Sequence, residues 1–273
     1  MSTTARHLST ALAKQLRAKG PKCKMLTVEV SALGDYVAVF AKMTGGGSPY
    51  WFRGHADIRY HLAPSALRFK DQSKRQCALN ILADFKRLTE LKLHKPPASH
   101  EELRWIQLAQ HYGLPTRLLD WTLNPAVALY FACHDPSVDG AVISLNPLDL
   151  SCPSGPKTRR HILDPNKDGK SIQPYLALGP HERSRGLRTI ALHPTWNSER
   201  ITQQQGAFTF HGSRSFELTS RQAPSLTFLP LLRQHKRRLL AELDCIGVSE
   251  MSLFPEPAHI CNYLKIRNCL TTL

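Results

Sequence analysis

Apolar and polar positions change period several times along the chain, and each change marks an element. Met25 to Val30 alternates as a short strand does, and Leu33 to Met43 takes the spacing of a helix. Gly45-Gly46-Gly47-Ser48-Pro49 ends that helix in a loop. Tyr50-Trp51-Phe52 is aromatic, suits a strand, and runs straight into Arg53-Gly54-His55. After a break at Pro64, an amphipathic helix spans about Ser73 to Leu93 and stops at Pro96-Pro97; a second runs from His100 to Tyr112 and meets Gly113-Leu114-Pro115. Thr116 to Thr122 is compact and mixed. Asn124 caps and Pro125 opens a short apolar helix ending at Cys133. Ala141–Leu145 and Leu187–Leu192 read as strands, and the Pro-, Gly- and Lys-rich stretch 146–186 between them reads as a long loop. A helix-like Asn197–Gln205 precedes Phe208-Thr209-Phe210, and further helices are expected over Leu231–Cys245 and Pro257–Leu270. Strands and helices mix without regular βαβ alternation. That predicts an α+β fold, a small mixed or antiparallel sheet flanked by helices. Residues 1–24 form a basic arm or first helix, and 25–273 a single domain without internal repeats.

Composition sharpens this picture. With 42% hydrophobic residues among 273, the chain can bury a core, which excludes global disorder. No run of roughly 18 apolar residues exists, so no membrane-spanning helix is expected. The formal net charge is +15, which favours a polyanionic partner. Residues 1–24 carry six Lys/Arg and no acid, with Leu8, Ala11, Leu12 and Leu16 on one helical face. That composition also fits a cleaved organellar transit peptide, whereas the apolar core of a secretory signal is missing. The seven cysteines form no C-x-x-C pair, which points to reduced thiols in a cytoplasmic protein and to no metal site. The basic helix at 231–245, with Arg233, His235, Lys236, Arg237 and Arg238, is either a solvated face or, with the arm, a nucleic-acid contact. Few aromatics are interleaved with these charges, so base stacking is not indicated.

Three stretches carry candidate chemistry. Arg53, at the end of an aromatic strand and followed by Gly54, suits a phosphate or carboxylate that approaches the backbone closely; the alternative is an Arg that anchors a turn on an internal acid. On the helix before Gly113, His100, Arg104, Gln107 and His111 share a polar face, and Trp105, Leu108, Ala109 and Tyr112 share the opposite one. His111 is then a general base or a helix-terminal cap. Arg117 and Asp120, three apart, either act in a site or pair with each other. The run Gln203-Gln204-Gln205 before Gly206 presents amides to a ligand or simply ends a helix. There is no Walker loop, no H-E-x-x-H and no G-x-S-x-G.

Together these stretches resemble the FRG domain, named for its Phe-Arg-Gly motif. The residues that carry the likeness are Phe52-Arg53-Gly54, Ala109 to Thr122, Asn124-Pro125, Ala128 to Ala132, Arg200-Ile201, Gln204 to Phe208 and Ser252 to Pro255, a span of about 28–260. A weaker likeness is to ADP-ribosyltransferases of the Arg–Ser–Glu kind, in which a strand ending in Arg-Gly precedes a Ser/Thr segment and a short Ala- and Phe-rich helix. That resemblance implies NAD as the cofactor. Arg53 would hold its phosphates or ribose, Thr116 or Thr122 would position the nicotinamide ribose, and Trp121 or Tyr112 would stack on nicotinamide. The third motif departs from the pattern, because Gln203-Gln204-Gln205-Gly206 holds no Glu. Asp120 is the first choice for the missing carboxylate, with Glu199 and Glu217 behind it. The functional expectation is therefore an ADP-ribosyltransferase-like enzyme whose acceptor is a nucleic acid, acting as a toxin or phage-defence effector. The alternative is a non-catalytic nucleotide- or nucleic-acid-binding module. The site expected is one cleft with Asp120, His111, Thr116 and Arg117 in catalytic roles and Arg53, Gly54, Tyr112, Trp121, Thr122 and Gln205 holding the cofactor.

Overall fold

The computed structural model describes residues 7–45, 49–150, 161–176, 187–194, 198–212 and 217–268. The glycines at 46 and 47, two segments of the expected 146–186 loop, Asn197 and Leu270 lie outside the described residues.

Seven strands form one mixed sheet: β1 (Lys24–Met25), β2 (Trp51–His55), β3 (Leu118–Thr122), β4 (Gly140–Leu145), β5 (Ile190–Leu192), β6 (Gly206–Phe210) and β7 (Thr227–Leu231). Their order is β1-β7-β4-β2-β3-β6-β5; β1 runs parallel to β7, and every other pairing is antiparallel. Around the sheet lie α1 (Thr10–Lys19), α2 (Leu33–Thr44), α3 (Gln72–Thr89), α4 (Glu102–His111), α5 (Pro125–Cys133), α6 (Gly169–Leu176), α7 (Glu199–Gln203), α8 (Arg233–Cys245), α9 (Glu250–Leu253) and α10 (Pro257–Arg267). The α+β class is as the sequence predicts, with a larger sheet.

Three elements differ from the expectation. Thr116–Thr122 contains a strand whose Asp120 stays exposed while its neighbours are buried. Residues 227–231 are a strand despite Pro230, which pairs with Ala141 on one side; β1 reaches only as far as Phe228 on the other, so no ladder donor is missed there. The 146–186 stretch contains α6, anchored by buried Ile172 and Tyr175.

The two faces of the sheet are covered differently. Trp51, Leu119, Trp121, Ile143 and Phe228 join one continuous core on the first face, with Leu16 of α1. The second face carries two separate cores. One packs α2, α5 and α8 over β2, β4 and β7 through Phe40, Phe52, Leu129, Val142 and Leu239. The other packs α4 and α6 over β3, β5 and β6 through Ile106, Leu118, Ile172, Ile190 and Phe210. The boundary between them runs over the junction of β2 with β3. There the ladder pairs only Phe52 with Thr122, whereas β2 and β4 pair along all five residues of β2.

α5 is apolar all round because most of its surface is buried, with Phe131 only half-covered. Asn124 caps it by accepting from Ala126 N at 2.9 Å, and Pro125 occupies the first turn. It lies directly on β2, where a Cβ on Gly54 would stand 2.1 Å from the Ala128 carbonyl oxygen and 2.5 Å from Ala132 N. α8 is held from beneath by Lys236, which is fully buried and donates to Ala56 O at 2.7 Å and Asp135 O at 2.8 Å. α8 exposes Arg233, Arg237 and Arg238, of which Arg238 is paired to Glu242, while His235 pairs with Glu29 and Lys236 is buried.

Gly54→Ala is expected to destabilise the fold by about 3 kcal/mol or more, because backbone atoms of α5 cannot yield. Gly34→Ala in α2, where a Cβ meets nothing within 4 Å, is the matched control and should leave the thermal unfolding midpoint unchanged or slightly raised.

Candidate functional site

A cleft of about 400 Å³ opens over the β2–β3 junction, between the two cores of the second face. Its floor is Phe52, Arg53, Gly54, Asp120 and Thr122; α4 contributes Gln107, Gln110 and His111; α5 contributes Val127 and Phe131; α7 and the turn after it contribute Arg200, Ile201 and Gln204. α4 ends here because Gly113 takes φ +86°, a left-handed geometry that glycine adopts without strain.

Arg53 closes the junction of the strands. Strand alternation places it with Trp51 and His55, away from Phe52 and Gly54. Its Nε donates to His55 Nε2 at 3.3 Å, and Nη1 donates to the main-chain carbonyl of Asp120 at 2.6 Å, in place of a ladder bond. The Asp120 carboxylate lies 3.8 Å from the same nitrogen, with its side chain 61% exposed to the cleft. Burial pushes the Arg53 pKa down to about 10, opposed by Asp120, so the guanidinium is still charged at neutral pH. His55 is driven well below its ordinary value by burial first and by Arg53 and Arg68 next, so it is the neutral acceptor.

A second chain of bonds reaches Asp120 from α4. Gln110 Nε2 donates to Asp120 Oδ1 at 2.5 Å, and Gln110 Oε1 accepts from the Thr116 hydroxyl, which itself accepts from Leu118 N at 3.1 Å. Thr116 thus orients Gln110 and through it the carboxylate, without bordering the cleft itself. Thr122 stitches the far rim: its hydroxyl donates to Gln204 O at 2.6 Å and accepts from Asn124 N at 3.0 Å.

His111 Nε2 and Arg200 Nη1 each lie 3.8 Å from Glu256 Oε1, and the Arg200 guanidinium stacks 4.7 Å from the Phe254 ring centre. Burial first, and Arg200 second, lower the His111 pKa, while Glu256 raises it.

Arg53, Gly54, His111, Asp120 and Thr122 therefore come together. Besides Thr116, four other expected positions do not face the cleft. Arg117 is buried on the far side of α4, donating to the carbonyls of Tyr175 and His211 and lying over Phe210, so it neither pairs with Asp120 nor reaches the site. Trp121 borders the cavity, but its ring belongs to the first-face core and its Nε1 donates to Thr209 Oγ1 at 3.0 Å. Tyr112 is exposed, against Phe85 and His111. Gln205 is exposed and takes φ 46° as the residue ending α7; the amide at the cleft is Gln204. Of the acids held in reserve, Glu199 is exposed and Glu217 pairs with His61, and neither lines the cavity. Sequence reasoning gave no role to Gln110, Phe131, Arg200 or Glu256, and it preferred Gln205 to Gln204 within the Gln run. Gln107, Gln110 and His111 follow the i, i+3, i+4 spacing of one helical face, so that signal was present; the polar face simply looks into a cleft. Among the described residues, no group of three or more His, Cys, Asp or Glu side chains could hold a metal ion, and no helix is long and apolar enough to cross a membrane.

Residues 48–140 match the FRG domain family. The matched range contains Phe52-Arg53-Gly54, α4, β3 and α5, which is the floor and two walls of the cleft; Arg200, Gln204 and Glu256 lie beyond it. The match covers about a third of the chain. Neither curated proteins nor solved structures give a match to the chain.

The His111 ring should titrate below its ordinary midpoint of about 6.5. A base whose folded pKa is depressed binds fewer protons folded than unfolded, so stability falls as pH drops through the unfolded value. Arg200→Gln should raise the His111 midpoint by removing a neighbouring cation. Histidine ring NMR against pH checks both; an unchanged midpoint in the variant would contradict the geometry.

Proposed function

We propose that the cleft binds a nucleotide and that the protein is an ADP-ribosyltransferase-like enzyme acting on NAD. The observation that carries this reading is Asp120, an exposed carboxylate on the floor of a cleft otherwise lined by amides, arginines and aromatic rings. Gln110 and Arg53 hold it from two sides, as a group must be held to stabilise charge that develops on a ligand.

In such a transfer the bond between ribose C1′ and nicotinamide breaks, and its electron pair leaves with nicotinamide. The ribose becomes oxocarbenium-like, and Asp120 stabilises that charge. The acceptor then forms a bond to C1′ and gives up its proton, which His111, neutral at pH 7 because it is half-buried beside Arg200, is suited to take. Phe131 is the half-buried aromatic ring available for stacking, a role that the buried Trp121 and the outward-facing Tyr112 are not placed to fill.

The net charge of +15 favours a nucleic-acid acceptor. The basic residues of α1 and α8 lie on opposite layers of the sheet, so an acceptor touching both must pass around its β1–β7 edge. Action as a toxin or phage-defence effector extends the same reading.

One observation favours the second reading, a binding module without turnover. The amide of Gln204, in the motif where the transferases it was likened to carry Glu, is engaged with Leu253 O at 3.1 Å, which leaves Asp120 as the sole carboxylate lining the described cleft.

Incubation with NAD and total RNA, DNA and protein, followed by measurement of nicotinamide release and acceptor labelling, separates the two. For the enzyme, Asp120→Asn should lower turnover about 10²-fold or more with ligand affinity little changed. Saturable ADP-ribose binding with no nicotinamide release in the parent would favour the binding module, and absence of both would refute both readings.

A further inference from the structure

The two arginines of the cleft are in different states. Arg53 has Nε and Nη1 committed to His55 and to the Asp120 carbonyl. Arg200 donates no hydrogen bond within the described residues. Phe254 holds the flat face of its guanidinium, which leaves the N–H edge to be satisfied by something else. Its counter-charge, Glu256, stands 3.8 Å away, beyond hydrogen-bond reach, and the second carboxylate oxygen of Glu256 is buried without a partner. Glu256 is also the residue before α10, yet its side chain makes no capping bond to that helix. Although His259 and Asn262 tie α10 to Glu250, the Glu256 side chain itself makes no hydrogen bond among the described residues that would hold it in place.

We propose that Arg200 is the diphosphate-recognising residue of the cleft and that Glu256 is a counter-anion which a bound diphosphate displaces. This rests on the reading of the cleft as a nucleotide site and adds which residue takes the charged part of the ligand. A phosphate suits the edge of Arg200 because two parallel N–H donors match two phosphate oxygens. Arg200 faces Glu256 at the edge of the cleft, while Asp120 sits beside Arg53 and in the field of Arg68, so an anion that reaches Arg200 competes with Glu256. Asp120 is tied by Gln110, whereas Glu256 makes no hydrogen bond to either of its cationic neighbours.

Calorimetric titration with inorganic pyrophosphate, ADP-ribose and adenosine tests this, on the parent and on Arg200→Gln, Arg200→Lys and Glu256→Gln, each checked for an unchanged circular dichroism spectrum. Arg200→Gln should weaken pyrophosphate and ADP-ribose about 10- to 100-fold and leave adenosine unaffected. Arg200→Lys should recover only part of that loss, since an ammonium cannot present a planar fork. Glu256→Gln should tighten pyrophosphate about 2- to 5-fold by removing the competing charge. If Arg200→Gln does not fold, the lysine and glutamine variants carry the test. Failure of the parent to bind pyrophosphate, indifference of that binding to Arg200, or weakening by Glu256→Gln would overturn the proposal. ADP-ribose binding that survives Arg200→Gln would leave the nucleotide reading standing without this inference. Arg200-dependent pyrophosphate binding without any ADP-ribose binding would do the reverse.

Discussion

The bond from Arg53 to the main-chain carbonyl of Asp120 replaces backbone pairing at the one place where the sheet opens. β2 and β3 meet at a single residue pair and then part, and a separated pair of strands leaves carbonyls that need donors. A guanidinium supplies them while carrying charge into the gap. The two helical layers of the second face stop on either side of this opening, and the cleft is the space between them. The residues before and after Arg53 serve the same arrangement. Phe52 anchors one layer beside Phe40, and Gly54 lets α5 rest on the strand with no side chain between. The Phe-Arg-Gly triplet is thus a joint between strand, strand and helix.

From this joint the polar groups divide by what they already hold. Arg53, Thr116, Thr122 and Gln204 are engaged with backbone or with neighbouring side chains, so they shape the cleft. Asp120 accepts from Gln110 and lies beside the Arg53 charge, and it still faces the opening. Arg200, His111 and Glu256 are near one another without hydrogen bonds closing the group, and burial keeps His111 biased toward its neutral form. Hydrogen-bonded charge thus sits at the floor, and ion pairs without hydrogen bonds sit at the rim.

Much of this was readable from local pattern. α4 follows helical spacing, α5 has its Asn cap and first-turn Pro, and the aromatic run at 51–52 is a strand. Asp120 and His111 stood out as titratable groups set among apolar neighbours. The errors share one physical cause, that proximity in sequence says nothing about which face of an element is used. Arg117 and Trp121 flank Asp120 in the same strand segment. Arg117 is drawn into the packing around Phe210, and Trp121, by alternation, points to the opposite core. Gln205 and Gln204 are equivalent by composition, and only the left-handed turn at 205 decides that 204 faces the cleft. Lys236 lies in a basic run that suggests a solvated face, yet it is buried because two carbonyls beneath α8 need a donor.

By itself the sequence determined the class of fold, the positions of most helices, the FRG motif and the basic character of the chain. These depend on periodicity, capping and charge, which are local or additive. Tertiary structure decided that residues 53, 110–111, 120 and 200 share one space with Glu256 beside it, that β2 and β3 part where they do, and which arginine donates no hydrogen bond among the described residues. Those outcomes depend on register between distant strands and on which groups consume each other's hydrogen bonds, and neither is encoded in any short stretch of chain.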